Sequence, residues 1–265
     1  MQMAKGRINR PGSWRGEAAS KRAWKSPPAL KKLAERKSFQ RFASLGFLLL
    51  CTNLFLSAFM VEAQTQPQSA FTIARVKYRG GGDWYNDPSC IPNLLKFMRQ
   101  NTTMHLDQDE RQVALTDHEL FAYPIIFMTG HGRMQFSPEE AQQLRRYLSG
   151  GGFLYADDDY GMDKFFREEM AKVFPDKKWV ELPFSHPIYH SHFEFTGGVP
   201  KTHEHDGGPP KAFGLFHEGR LIAYYTWNTN ISDGWADPEV HGDPPEVREQ
   251  ALRMGTNIVV YALMN

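Results

Sequence analysis

Only two cysteines, Cys51 and Cys90, occur in the 265 residues. At most one intrachain disulfide can form, and none once the chain is trimmed behind Cys51. The sequence also lacks a Gly-x-Ser-x-Gly elbow, a Walker phosphate loop, a Gly-x-Gly-x-x-Gly turn and a His-Glu-x-x-His pair. Those absences remove the usual signatures of serine hydrolases, of nucleotide sites and of established zinc motifs. No internal repeat or low-complexity tract follows Gln68.

Excess charge of one sign is missing only on the surface of the count. The formal net charge is +1, yet 12 Lys and Arg precede Phe42 against Glu17 and Glu35 alone. After Ala63 there are 19 basic and 27 acidic residues, so the body of the chain is acidic and carries no nucleic-acid-binding tract. Between the two lies an apolar run, Phe42 to Met60, followed by Val61-Glu62-Ala63. A basic flank, an apolar run and a small-residue step describe a secretory signal cut after Ala63. The chain then divides into a basic leader over 1–41, a signal peptide over 42–63 and one α/β domain over 64–265. Export to the periplasm or beyond follows, with no stable membrane insertion after cleavage. A retained anchor over 42–60 is the competing reading, because the run approaches the ~20 residues that span a bilayer. After cleavage only Cys90 remains, so stability must come from the core.

Periodicity within the domain alternates between strand and helix. Phe71 to Tyr78 predicts a first strand, stopped by Gly80-Gly81-Gly82, and Ile91, Leu94, Leu95 and Met98 predict a helix over 88–101. Asp117 is placed to cap a short helix through Ala122, and Pro124 to Met128 has the run expected of a strand buried on both faces. Ser137-Pro138-Glu139-Glu140 combines an N-cap, a first-turn proline and a capping-box glutamate. Gly150-Gly151-Gly152 ends that helix and Phe153 to Ala156 is the next strand, which makes a βαβ unit. A helix over 162–174, a short strand over 179–182, a long loop over 183–210, a hairpin of 212–216 with 220–227 and a final helix around Val247 to Tyr261 complete the pattern. The expected fold is a single open, mostly parallel sheet with flanking helices.

Several of these pieces together resemble the bacterial family catalogued as domain of unknown function 4159. They are Tyr78 to Tyr85, Tyr123 to Gly132, Gly151 to Asp158, His186-Pro187-Ile188-Tyr189 and the Gly219-Arg220-Leu221 turn. More distantly, Pro124 to Gly161 is similar to flavodoxin-like and class I glutamine-amidotransferase-like domains, including the trehalose-utilisation branch. The resemblance implies a fold and a pocket but no reaction. Amidotransferases need a cysteine on a strained turn beside a histidine. Here Cys90 falls inside a predicted helix, and the turns carry His131 and Asp157, so that chemistry is not expected.

Ligands in open α/β sheets bind beyond the carboxyl ends of the strands, which directs attention to four polar exits. Asp83-Trp84-Tyr85 mixes an acid with aromatic faces, as sugar clefts do. His131 sits between two glycines. Asp157, Asp158 and Asp159 follow a buried-looking strand, and Asn228-Thr229-Asn230 follows the hairpin. Asp158 is read either as a pocket carboxylate or as a cap of the next helix or a solvated side chain, and Asp159 as one of the latter two. His186, His190, His192, His203, Glu204 and His205 crowd one segment, where a divalent metal shared with Asp158 competes with a plain polar loop. His186 is the candidate stiffened by Pro187. The expected pocket therefore comprises Asp83, Trp84, Tyr85, His131, Asp157, Asp158 and His186. Two functions fit it. One is a module binding a glycan or other polar small molecule. The other is a metal-assisted or acid/base hydrolase using Asp158 and His131.

Overall fold

The computed structural model describes residues 70–203 and 207–265. The basic leader, the signal with its step at Ala63, and Glu204 and His205 lie outside the described residues. Seven strands form one sheet: β1 (Ala74–Lys77), β2 (Arg111–Ala114), β3 (Ile125–Met128), β4 (Phe153–Asp157), β5 (Val180–Glu181), β6 (Lys211–His217) and β7 (Arg220–Trp227). Their order is β2-β1-β3-β4-β7-β6-β5. β2, β1, β3, β4 and β7 pair in parallel, whereas β6 pairs antiparallel with both β7 and β5. The sheet is thus mixed. Its antiparallel edge arises because two residues, Glu218 and Gly219, connect β6 to β7, both with positive φ (52° and 83°) as a tight right-twisting hairpin requires.

The helices are α1 (Cys90–Asn101), α2 (Pro138–Ser149), α3 (Asp163–Val173), α4 (Pro238–His241) and α5 (Pro245–Met264). β2 and α4 escaped the sequence reading: each has four residues, too few to show a period. Alternate residues of the central strands feed two separate cores. Ile125, Phe127, Phe153, Tyr155 and Tyr224 pack with α1 and α5, and Ile126, Met128, Leu154, Ala156 and Tyr225 pack with α2 and α3. Helices therefore cover both faces, which is why β3 and β4 are buried at every position. The capping box of α2 is formed, Ser137 Oγ accepting from Glu140 N (3.1 Å) and Glu140 Oε2 accepting from Ser137 N (2.6 Å). No described helix is long and apolar enough to cross a membrane.

β1 is followed outward by β2 on one side and β3 on the other, so the strand order reverses between β1 and β3. Loops leaving these two strands part in opposite directions and open a crevice at the carboxyl edge of the sheet. The loops after β1, β3, β4 and β7 meet there.

Candidate functional site

The loop after β1 is fixed from beneath by a buried arginine. Arg75, 1% exposed, presents Nε to the Glu110 carboxylate (3.0 Å), Nη1 to the carbonyls of Trp84 (3.3 Å) and Asn86 (3.0 Å), and Nη2 to the carbonyl of Asp87 (3.2 Å) and to Cys90 Sγ (3.0 Å). Guanidinium is suited to this because its planar fork offers five donors at once. The clamp fixes the backbone that carries Asn86 and Asp87.

Across the crevice, Asp83 receives the backbone N–H of His131 on Oδ1 (2.5 Å) and pairs with its ring Nδ1 through Oδ2 (3.0 Å). Burial raises the Asp83 carboxyl, but the His131 backbone and ring hold it below its ordinary value. Gly130 is obligatory at this contact. Its φ is +138°, and a Cβ there would overlap the Tyr78 hydroxyl and lie 3.0 Å from Asp83 Oδ1.

The three aspartates that end β4 have separate tasks. Asp157 is fully buried and ties down the loop after β7, accepting from Thr226 Oγ1 (2.5 Å) and Thr229 Oγ1 (3.0 Å) on Oδ1, and from Ser232 N (2.7 Å) and Oγ (2.8 Å) on Oδ2. Asp158 accepts the Met162 N–H (2.8 Å) at the entry to α3 and is pushed up to about 6 by burial. Asp159, expected to cap the next helix or be solvated, is 3% exposed. It is bonded by the amides of Asn86 and Asn230 and lies 3.3 Å from His131 Nδ1. The loop path turns it inward: Gly161 has positive φ, and Asn230 Nδ2 also bonds the Asp159 carbonyl at 2.6 Å.

Asp233 is also buried at this edge, 3% exposed. It opens a 3-10 turn, Asp233–Trp235, whose Trp235 is buried on Phe127 and Tyr155 (ring centroids 5.8 Å from each) and donates Nε1–H to the Ala251 carbonyl (2.8 Å). Asp233 Oδ2 faces His203 Nδ1 (3.5 Å) and His241 Nδ1 (3.8 Å) and accepts from Asn230 Nδ2 (3.3 Å); Oδ1 is buried with no hydrogen-bond partner among the described residues. His241 is oriented from behind, its Nε2 pairing with Asp87 Oδ2 at 3.0 Å. Asp243 Oδ1 lies 3.4 Å from His203 Nδ1, and its other oxygen is also buried and unpartnered among the described residues. Burial, then the charges of Asp159, Asp157 and Asp87, push the Asp233 carboxyl up to about 9.

Two groups here have metal-ligand spacing: His203, Asp233 and His241, and Asp87, Asp159 and Asp233. In each, one ligand atom per residue lies within 4.8 Å of the others. A carboxylate behind a ligating imidazole, as Asp87 stands behind His241, fixes its tautomer and leaves the forward nitrogen as a lone-pair donor.

The sequence-nominated residues divide accordingly. Asp83 and His131 are joined to each other and, through Asp159, to the Asp233 cluster. Asp157 and Asp158 lie beside the site with their carboxylates turned to backbone and hydroxyl donors. Trp84 is half-buried against the α2/α3 core, and Tyr85 is 63% exposed next to it (rings 5.5 Å apart, edge-on). His186 belongs elsewhere. It caps the 3-10 turn Pro187–Tyr189 and packs on Phe216 and Tyr261, at the amino edge of the sheet. The histidine-rich segment is likewise dispersed, His190 pairing with Glu194 (2.6 Å) and His192 with the Asn101 carbonyl (3.0 Å); only His203 of the described histidines there reaches the crevice. A groove of about 630 Å³, lined by Asn101, Met104, His192 and Leu263, also lies at the amino edge, remote from these clusters. Asp87, Asp233, His241 and Asp243 were missed. The available signal was position, since Asp233 follows the flagged Asn228-Thr229-Asn230 exit by three residues.

Cys90 is the first residue of α1, fully buried, and burial pushes its thiol up to about 12. It cannot serve as a thiolate nucleophile near neutral pH. A family model described as Domain of unknown function (DUF4159) matches residues 72–263. No curated protein matches the chain.

Proposed function

Because the chain belongs to the DUF4159 family, whose description assigns no reaction, its activity has to be read from the crevice, and we propose that it is a divalent-metal-dependent hydrolase of a polar, hydroxyl-bearing substrate. The observation that carries this is the His203–Asp233–His241 group with Asp87 behind His241. Two imidazoles and a carboxylate suit zinc, manganese or iron, with positions left for water or substrate. Such a cation would lower the pKa of a bound water from its bulk value toward about 7.

His131 is the acid/base of this reading. Asp83 on Nδ1 selects the tautomer that leaves Nε2 as proton acceptor, and the half-exposed ring reaches solvent at the crevice mouth. His131 takes one proton of the attacking water as its oxygen bonds to the substrate. The same proton passes to the departing oxygen or nitrogen as that bond breaks. Asp158, the other catalytic candidate, is assigned instead to the entry of α3. The exposed face of Tyr85 supports a second reading, a module that binds a glycan or polyol through the cation without turning it over. The parallel order β2-β1-β3-β4-β7 supports kinship with flavodoxin-like and amidotransferase-like sheets. Export of the domain remains part of the proposal on the strength of the 42–63 segment.

The test uses the full chain, stripped with EDTA and titrated with Zn²⁺ and Mn²⁺ by calorimetry, then assayed on carboxylic esters, phosphate esters and glycosides. We expect stoichiometric cation binding that His241→Ala weakens by about 10–100-fold or more, and turnover that requires the cation and is lost in His131→Ala. Failure to bind either cation overturns the proposal. Binding without turnover of any substrate leaves the module reading.

A further inference from the structure

Asp233 belongs to both ligand groups, and the second is made of carboxylates alone. We infer that the crevice holds two divalent cations bridged by Asp233, the second coordinated by Asp87 and Asp159. This rests on the metal-site reading above and extends it from one cation to two.

The case starts from oxygen atoms that donors among the described residues leave unused. Asp233 is 3% exposed, its Oδ2 is directed at the two histidines, and its Oδ1 is buried without a partner among the described residues. An orphaned carboxylate oxygen in a protein interior forfeits its solvation, and a bound cation is one way to restore it. Asn86 repeats the pattern: its amide nitrogen bonds Asp159, while its Oδ1, on the same loop as Asp87, is buried and unpartnered among the described residues. Asp87 links the two positions, since Oδ2 pairs with His241 Nε2 while the carboxylate lies within ligand spacing of Asp159 and Asp233.

The scaffold holds these oxygens in place. Arg75 fixes the backbone of Asp87, Asn230 fixes Asp159, and Asp157 fixes the loop that carries Asn230 and Asp233. The donor sets differ in kind. Imidazole with carboxylate favours zinc or iron, and all-oxygen donors favour Mn²⁺, Mg²⁺ or Ca²⁺. Paired cations about 3.5–4 Å apart stabilise both the attacking and the leaving oxygen of a displacement. A pair of cations held by these residues would favour a phosphate or carboxylic ester over a neutral glycoside.

Manganese decides the question because it can fill both positions and is visible by electron paramagnetic resonance. The full-length chain, stripped and reloaded, is expected to bind about two Mn²⁺ with an exchange-coupled spectrum, as a bridged pair requires. Asp159→Asn should leave about one, uncoupled, held by the histidines, and His241→Ala about one, uncoupled, held by the carboxylates. Circular dichroism confirms that each variant is folded, and where one is not, the wild-type stoichiometry and spectrum suffice. A wild-type chain that takes up one uncoupled Mn²⁺, unaffected by Asp159→Asn, overturns the second site and leaves the first. A chain that binds none overturns both.

Discussion

Replacing Arg75 by methionine tests whether the site rests on the clamp beneath it. Methionine keeps much of the aliphatic volume over Phe127, whose ring lies 5.5 Å from the guanidinium carbon. What disappears is the charge and its donors to Glu110, to three carbonyls and to Cys90 Sγ. Each buried carbonyl left unsatisfied costs about 1–3 kcal/mol before relaxation. Breaking a buried ion pair on one side costs about 3–5 kcal/mol. The terms overlap, because the loop can shift to hydrate its carbonyls and the Glu110 side chain is already 10% exposed. We therefore expect a loss near 3–5 kcal/mol rather than the sum, a large part of the ~5–15 kcal/mol available to a domain. For a domain of this size that is a fall in Tm of roughly 6–20 °C. Urea unfolding followed by circular dichroism measures it, and Mn²⁺ titration at a temperature where the variant is folded should show weaker binding because Asp87 is no longer positioned. Arg75→Lys should recover little, since one ammonium cannot serve all these acceptors. A loss below about 1 kcal/mol, or full rescue by lysine, would refute the clamp.

Gly130→Ala should destabilise the fold by about 1–3 kcal/mol and loosen the Asp83–His131 pair, because the added Cβ meets Tyr78 and Asp83 on a positive-φ residue; thermal melts and the His131 ring signals by NMR report both. Asp158→Asn should cost about 0.5–1.5 kcal/mol as a weakened hydrogen bond to the Met162 N–H while leaving cation affinity unchanged, and a selective loss of affinity would return Asp158 to the site. Cys90 should resist alkylation until the chain unfolds, as mapped by peptide mass spectrometry, and Cys90→Ser should fold and keep its activity. Terminal sequencing of the exported protein should find Gln64 first, and an uncleaved chain in the membrane fraction would favour the anchor.

Local chemistry made most elements legible. The capping box at Ser137, the glycine stop at Gly150 and the apolar runs of β3 and β4 each act within a few residues, so they can be read without knowing the fold. They also imply helices on both faces and hence a crevice at the strand ends. Length set the limit for β2 and α4, which complete no recognisable period. Position along the chain was enough to nominate Asp83 and His131, because both leave strands that flank the point where the order reverses.

The contents of the site were decided by tertiary structure. Asp157, Asp158 and Asp159 are chemically identical in sequence, and what separates them is the partner each meets: hydroxyls and an amide of the β7 loop, the amide of Met162, and the side chains of Asn86, Asn230 and His131. Arg75, in a strand that alternates on paper, is buried because the loop it bonds folds back over β1. Histidine crowding pointed to one segment, yet His203 joins Asp233 and His241 while His186, His190 and His192 face other surroundings. A ligand set of this kind draws Asp87, Asp159, His203, Asp233 and His241 from separated stretches of chain. Spacing in sequence carries no information about it, since only the pairing of parallel strands and the loops they launch bring those five side chains within reach of one another.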